Sequence, residues 1–278
     1  MAVPRQPQAA LGLVCLVTLA VYLPVLTSLA RQWASDENYS HGFLVAPFAI
    51  YLGWLRRREL AAQPIRPHWI GLVVVACSLA FLIAGRLGAE LFLTRVSLVG
   101  LLAGTVVFLY GLGHLRLLAF PVAFLLLMIP LPAVVFNQIA FPLQLLASRV
   151  GASVLDAASI PVLREGNVLV LPTITLQVVE ACSGIRSLVS LLTLAIIVGA
   201  LTERRLWARV LLAALAFPVA IVANAARVAG TGLMAEWIGP QTAQGFLHEF
   251  SGWVMFVVAF TLLLATRCAF PSPQTSPS

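Results

Sequence analysis

Three residues of this sequence carry side chains whose chemistry could be combined at one site: Cys182, Arg227 and His248. A cysteine thiolate is a nucleophile, and a helix N-terminus or a nearby cation favours the thiolate form. An imidazole can take up the thiol proton and later protonate a leaving amine. A guanidinium offers donors in a fixed fork that suits a tetrahedral oxyanion or a carboxylate. These residue types are typical of covalent catalysis by cysteine if the fold brings them together.

The elements that must position these residues are membrane spans. The chain has 278 residues, of which 61% are apolar and 10% are charged, and its mean hydropathy is +1.00. Soluble domains carry about 25% charged residues. This composition predicts a polytopic membrane protein without a separate soluble domain. The net charge is +7, but most arginines lie in short loops between apolar segments, which indicates membrane topology and argues against a nucleic-acid partner.

Eight apolar segments approach the roughly 20 residues that a crossing needs. They cover residues 11–30, 40–55, 69–85, 92–112, 117–135, 183–201, 207–234 and 248–266. The arginines after the second, fourth, sixth and eighth segments predict that these loops and both termini are cytoplasmic. The opposite loops are then 31–40, 86–91, 136–182 and 235–247. Residues 1–10 are predicted to form a cytoplasmic N-terminus, 11–267 one integral-membrane domain, and 268–278 a disordered tail.

Two segments on the outer side are not counted as spans. Residues 136–158 are apolar, but a full crossing there would move the basic loop 202–209 outside, so parity predicts an interfacial or re-entrant segment. Its polar residues Asn137, Gln144 and Ser148 share one helical face. Residues 160–180 contain a Glu-Gly-Asn turn, and polar and apolar side chains alternate from Thr173 to Val178. This pattern predicts a short β-hairpin on the outer side.

The predicted topology places Cys182, Arg227 and His248 at one depth on three different spans. An arginine within a span is a candidate for function by default. Each residue also has a structural interpretation. The cysteine can be a small buried residue, the histidine a satisfied interfacial one, and the arginine can pair with Glu236 or Glu249. Spacing alone leaves these alternatives open.

Four further residues are candidates for substrate binding or support. Arg186 lies four residues after Cys182, hence one turn deeper on the same face of a helix, and can hold the thiolate or a structural acid. Asn224 lies one turn before Arg227. Ser183 is a weaker nucleophile than its cysteine neighbour, and His41 is an accessory group or a structural hydrogen-bonding residue. The four cysteines form no CxxC pair and lie at different predicted depths, so neither a metal nor another cofactor is expected.

At these residues the sequence resembles the exosortase family. The segments "EACSGIRSL", "NAARVAGTG" and "LHEFSGWVMF" occur in the order of the family's three signature blocks. The segments "YSHGFLVAPFAIYLGWLRRR" and "LLLMIPLPA" resemble the N-terminal half of the family, and the details look like the exosortase A type. The resemblance covers residues 20–266 and implies an all-α polytopic protein of the bacterial inner membrane, with about eight transmembrane helices, a periplasmic β-hairpin and the re-entrant or interfacial segment.

The resemblance also implies a reaction. Exosortases are proposed to process membrane-anchored proteins whose C-terminal sorting signal comprises a Pro-Glu-Pro motif, a transmembrane helix and an arginine-rich tail, in connection with exopolysaccharide production. The family's catalytic Cys, Arg and His correspond to Cys182, Arg227 and His248. The expected site faces the periplasm, and an acceptor amine or water resolves a thioacyl enzyme. Two alternatives remain: a non-catalytic transporter or scaffold in polysaccharide export, and an acyltransferase that uses the same thiol.

Overall fold

The computed structural model describes residues 5–178, 184–203, 205–243, 253–254, 256–262 and 264–265. The chain forms two compact units, Met1–Pro132 and Ala133–Ser278. The single domain over residues 11–267 stays a prediction. The predicted tail at 268–278 lies outside the described residues, as do Cys182, Ser183, His248 and Glu249.

The described part of the chain contains nine α-helices with defined bounds, further helical residues between positions 253 and 265, and one small β-sheet. The helices are α1 (Arg5–Ser35), α2 (Gly42–Leu55), α3 (Arg57–Ala62), α4 (Ile70–Leu87), α5 (Leu91–Leu109), α6 (Leu112–Phe124), α7 (Ala133–Ala157), α8 (Ile185–Thr202) and α9 (Leu206–Trp237). The strands are β1 (Leu163–Glu165), β2 (Val168–Val170) and β3 (Thr175–Gln177). Short 3₁₀ turns cover Glu37–Tyr39, Leu125–Met128 and Pro240–Ala243.

Five of the described helices are long and apolar enough to cross a membrane, namely α4, α5, α7, α8 and α9. The predicted class, an all-α polytopic membrane protein, is therefore confirmed. The count of eight spans stays a prediction. One predicted boundary differs: the span expected over 117–135 ends with the 3₁₀ turn at Met128, because Pro130 and Pro132 supply no backbone N–H to continue a helix. Arg116, expected in a loop, lies inside α6.

In the first unit, α4 and α5 pack closely because small residues face each other. A Cβ on Gly71 would lie 2.6 Å from the carbonyl oxygen of Gly104, and one on Gly100 would lie 2.5 Å from Ser78 Oγ. The hydroxyl of Tyr22 on α1 bonds Ser97 on α5 at 2.9 Å. Small residues at such contacts let helix backbones approach, which is the usual means of association in membranes.

The two ends of this unit are consistent with the predicted alternation of its helices. At one end, Trp33 Nε1 donates to the carbonyl of Met128 at 2.9 Å, so the end of α1 meets the end of the α6 segment. At the other end, the amide of Arg66 donates to the carbonyl of Tyr110 at 3.1 Å. In each contact, a residue of a predicted loop therefore meets the end of a span that the sequence predicts on the same side.

Residues 133–157 form one unbroken helix in the second unit. The 25 residues of α7 extend about 37 Å and are apolar enough to cross a membrane. The helix runs parallel to α9, since Gly151 lies against Val228 and Gly232 lies against Leu155. Length and composition allow a crossing, so the interfacial or re-entrant assignment stays a prediction.

The predicted hairpin is present and gains a third strand. The antiparallel order is β1-β2-β3, and Gly166, with φ +65°, begins the two-residue turn between β1 and β2, where glycine is favoured. Ser148 Oγ donates to the carbonyl of Gly166 at 2.9 Å, and Asn167 Nδ2 donates to Gln144 Oε1 at 3.4 Å. Two residues of the polar face predicted on α7 thus bind the turn between β1 and β2. The third, Asn137, is exposed.

The packing of α4 on α5 gives a test of helix association. We expect Gly71→Ala to lower the free energy of unfolding by about 1–3 kcal/mol, because its Cβ would overlap the backbone of α5. Gly230→Ala is the matched control, since no atom of the described residues outside its own helix turn lies within 4 Å of its Cβ position, and it should gain up to about 1 kcal/mol from helix propensity. Thermal unfolding in detergent measures both. Equal effects of the two substitutions would contradict the close packing.

Candidate active site

The site is built around the first residue before α8. Gly184 is the N-cap of α8 and has φ +77°, a left-handed conformation that side chains disfavour. A Cβ at this position would lie 2.8 Å from both Cβ and Cγ of Asn224, so a side chain would also collide with α9. Two independent constraints, the left-handed backbone and the contact with Asn224, therefore favour glycine at position 184. The segments "EACSGIRSL" and "NAARVAGTG" meet here, at the end of α8 that follows Cys182 in the chain.

The left-handed residue bears on the sequence argument about Arg186. Helical spacing predicts that Cys182 and Arg186, four residues apart, share one face of a helix. The helix begins only at Ile185, and a left-handed residue at 184 interrupts right-handed helical geometry before it. Helical spacing therefore does not support a shared face, and the relation of Arg186 to Cys182, which lies outside the described residues, stays a prediction. Arg186 is the second residue of α8 and is half-buried.

The register between α8 and α9 determines the level of Arg227. At the far end of the pair, a Cβ on Gly199 would lie 3.4 Å from the Cα of Arg209. From Gly199 to Gly184, and from Arg209 to Asn224, the chain covers the same 15 residues, so the antiparallel helices keep one register. Arg227 lies three residues beyond Asn224, about 4.5 Å farther along α9. It stands at the level just past the start of α8.

The face of α9 that carries Arg227 is the face that packs on α8. Ala216 and Ala220 on this face are buried in a cluster with Leu188, Leu191 and Ala195 of α8. Arg227 follows Ala220 by seven residues and Ala216 by eleven, spacings that return to one side of a helix. The half-buried guanidinium therefore extends the α8-facing stripe beyond the point where α8 begins.

Glu236 is not the partner of Arg227. The Glu236 carboxylate accepts hydrogen bonds from the Thr173 hydroxyl at 2.6 Å and from the Thr173 amide at 3.1 Å. Nine residues of helix separate it from Arg227, about 13 Å along the axis. The alternative that Arg227 pairs with Glu236 is therefore wrong, and the other proposed partner, Glu249, lies outside the described residues. Glu236 instead ties the loop before β3 to the end of α9.

A small pocket opens where α7, α8 and α9 meet. Its cavity volume is about 10 Å³, and its lining includes Ala147, Gly184, Leu188, Ala220 and Asn224. Asn224 is only 6% exposed and provides the amide donors and acceptor of an otherwise apolar lining. The start of α8 also brings the positive end of a helix dipole to this point. The pocket therefore has room for about one water-sized polar group beside apolar atoms.

The family model for transmembrane exosortases (Exosortase_EpsH) matches residues 33–265. The chain belongs to the exosortase family. The matched range includes all three segments that carry the resemblance, with Cys182, Arg227 and His248. No curated protein matched in the comparison. No solved structure matched either.

His41 of this exosortase lies in the first unit, at the N-cap of α2. It is 6% exposed, and its Nε2 bonds the carbonyl of Leu127 at 3.0 Å. With a carbonyl as partner, Nε2 carries the proton in this bond. The contact attaches α2 to the 3₁₀ turn after α6, which is the structural role that the sequence analysis considered for this histidine.

Arg95 is a buried cation of the exosortase that the sequence analysis did not single out. It lies in α5, is 3% exposed, and its Nη2 donates to Ser28 Oγ at 3.4 Å. Its position inside the predicted span 92–112 could have identified it, because charged residues within a membrane are costly and mark function or specific pairing. Its contact joins α1 to α5 within the first unit.

The two requirements for glycine at position 184 can be separated by experiment. We expect Gly184→Ala to lower the free energy of unfolding by about 1–2 kcal/mol for the left-handed backbone and by about 1–3 kcal/mol more for the overlap with Asn224. Gly166→Ala is the matched control, because Gly166 has φ +65° and no atom within 4 Å of its Cβ position. It should show the backbone cost alone. Unfolding in detergent measures both variants, and equal losses would contradict a rigid contact with Asn224.

Proposed function

We propose that this exosortase is a cysteine protease or transpeptidase that cleaves the C-terminal Pro-Glu-Pro sorting signals of exported, membrane-anchored proteins. In this proposal it acts at the periplasmic face of the inner membrane and is linked to exopolysaccharide production. Cys182 is the nucleophile, His248 the general acid and base, and Arg227 the donor to the oxyanion. Membership of the exosortase family, whose members act on sorting-signal substrates, supports the substrate class.

The observation that carries the proposal is the position of Arg227 relative to the start of α8. One residue separates Cys182 from Gly184, so their Cα atoms lie at most about 7.6 Å apart in any conformation. The Gly184 backbone abuts Asn224, and Arg227 continues the α8-facing stripe one turn farther along α9. This short separation supports the proposal, which requires the Cys182 thiol to approach the Arg227 guanidinium.

The proposed chemistry proceeds by acyl transfer through the cysteine. His248 takes the thiol proton while the sulfur attacks the carbonyl carbon, and Arg227 hydrogen-bonds the resulting oxyanion. Breakage of the C–N bond releases an amine that receives the proton from His248, and a thioacyl enzyme remains. An acceptor amine or water then attacks the thioester carbonyl, its proton passes to His248, and the thiol is released.

Asn224 and Arg186 have supporting roles in the proposal. Asn224 packs on Gly184 and lines the pocket below it, so it holds the start of α8 and can hydrogen-bond a substrate amide. Arg186 brings a cation to the first turn of α8, where it can attract a substrate carboxylate. Ser183 and His41 remain candidates for support, Ser183 as the neighbour of the nucleophile and His41 through the structural bond to Leu127.

Replacement of the nucleophile gives the most direct test. We expect Cys182→Ala to reduce processing of a co-expressed sorting-signal substrate by at least about a thousandfold, without loss of membrane insertion. Cys77→Ala is the matched control, since Cys77 is an exposed cysteine on α4, and should process normally. Immunoblotting of the substrate measures cleavage. Processing retained by Cys182→Ala would reject the nucleophile and favour a transporter or scaffold, whereas a lipid rather than a peptide thioester on Cys182 would indicate an acyltransferase.

Single-cysteine labelling tests the proposed orientation, in a variant whose native cysteines are replaced. We expect Arg164→Cys to react with a membrane-impermeant maleimide in intact spheroplasts, and Arg205→Cys only after the membrane is opened, because α8 separates these exposed positions. The reverse pattern would contradict the orientation.

Leu131→Cys tests α7 in the same assay, because Leu131 is 38% exposed just before that helix. We expect it to label from the same side as Arg164→Cys. Labelling from opposite sides would mean that α7 crosses the membrane.

A further inference from the structure

The third strand of the small sheet has a free edge. In the described part of the chain, β3 pairs with β2 and with no other strand. The amide of Leu171 donates to the carbonyl of Ile174 at 2.9 Å, and that of Val178 donates to Asn167 at 2.9 Å. Backbone groups alternate in direction along an antiparallel strand. Residues 174, 176 and 178 therefore point their backbone groups at β2, and residues 173, 175 and 177 point theirs away from it.

The first outward amide of this edge already has an acceptor. The amide of Thr173 donates to the Glu236 carboxylate at 3.1 Å. The outward N–H and C=O groups of Thr175 and Gln177 follow in the same row, and both residues are exposed. Among the described residues these groups have no partner in the sheet. A row of donors and acceptors at this spacing is complementary to an extended peptide backbone.

The two edge strands of the sheet differ in the charge of their exposed side chains. On the β1 edge, Arg164 and Glu165 are both exposed and charged. Charged side chains are a common means by which proteins discourage pairing at an open edge. The β3 edge carries Thr175 and Gln177 instead, which are exposed but uncharged. Among the described strands, the β3 edge is therefore better suited to strand addition than the charged β1 edge.

The core face of β3 is held in place, so the edge is rigid. Leu176 of β3 packs against a buried cluster that includes Leu169 of β2 and Val178 just after β3. The same cluster contains Leu155 of α7 and Val228 of α9. The turn before β3 is attached to α9 through Thr173 and Glu236. A strand that adds to this edge would meet a surface whose geometry is already fixed, which lowers the entropy cost of binding.

We propose that the β3 edge is a docking strand for an extended segment of the protein substrate, which adds to the sheet as a fourth strand. The inference rests on the proposed function. Because β3 ends at Gln177 and the chain reaches Cys182 five residues later, a segment on this edge would lie next to the part of the chain that carries the nucleophile. Pairing with Thr175 and Gln177 uses the substrate backbone, so docking tolerates different side chains.

Disulfide scanning tests this docking in a Cys182→Ala variant that lacks the other native cysteines. Thr175→Cys is combined with substrates that carry one cysteine at successive positions of the sorting signal and the residues before it. Side chains on one side of a strand recur every second residue. We expect crosslink yield to rise and fall with a period of two residues along the substrate, and Glu165→Cys on the β1 edge to give less than about a tenth of that yield.

A second variant tests the backbone contact itself in the active enzyme. Gln177→Pro removes an outward amide and spares the bonds between β2 and β3, which is tolerated at an edge. We expect the substrate KM to rise about three- to tenfold, the loss that one hydrogen bond implies, with kcat little changed. An unchanged KM would overturn the proposal, as would crosslinking that lacks a two-residue period or is equally strong at Glu165→Cys. If wild-type enzyme does not process the substrate, the proposed function fails; if it processes while crosslinking fails, the docking strand alone is wrong.

Discussion

The location of the candidate site depends on the close approach of Gly184 to Asn224. With no side chain and a left-handed backbone, Gly184 lets the start of α8 touch α9. The second approach, of Gly199 to Arg209, fixes the register at the opposite end. Together the two contacts determine which residue of α9 lies just past the start of α8, and that residue is Arg227.

Hydrogen bonds to α7 and α9 hold the sheet that leads to Cys182. Ser148 binds the turn at Gly166, and Glu236 binds Thr173 before β3. Buried Leu169 and Val178 anchor the strands between these bonds. Polar groups on otherwise apolar helices are costly unless paired, and here the pairing is what orders a short sheet that three-residue strands would not stabilise alone.

Two arginines illustrate how differently a cation can be accommodated in apolar helices. Arg95 is almost completely buried and contacts Ser28 within the packing of the first unit. Arg227 is half-buried and stands where the α8-facing stripe of α9 continues past the start of α8. Both lie in predicted spans, so hydropathy treats them alike. Tertiary packing distinguishes them: Arg95 bonds Ser28 between two helices, whereas Arg227 lies on α9 at the level just past the start of α8.

Much of the architecture follows from the sequence, because hydropathy and alternation are local properties. They predicted the polytopic helical class, the hairpin around Gly166 and the polar face at Gln144 and Ser148. Helical spacing does not support the predicted same-face relation of Cys182 and Arg186, because a left-handed residue at 184 precedes α8 and cannot be read from that spacing. Likewise, the carboxylate of Glu236 can accept hydrogen bonds from any nearby donor, and only the tertiary structure shows that its partner is Thr173. Register between helices depends on which glycines meet across an interface, so the level of Arg227 was decided by packing over long chain separations.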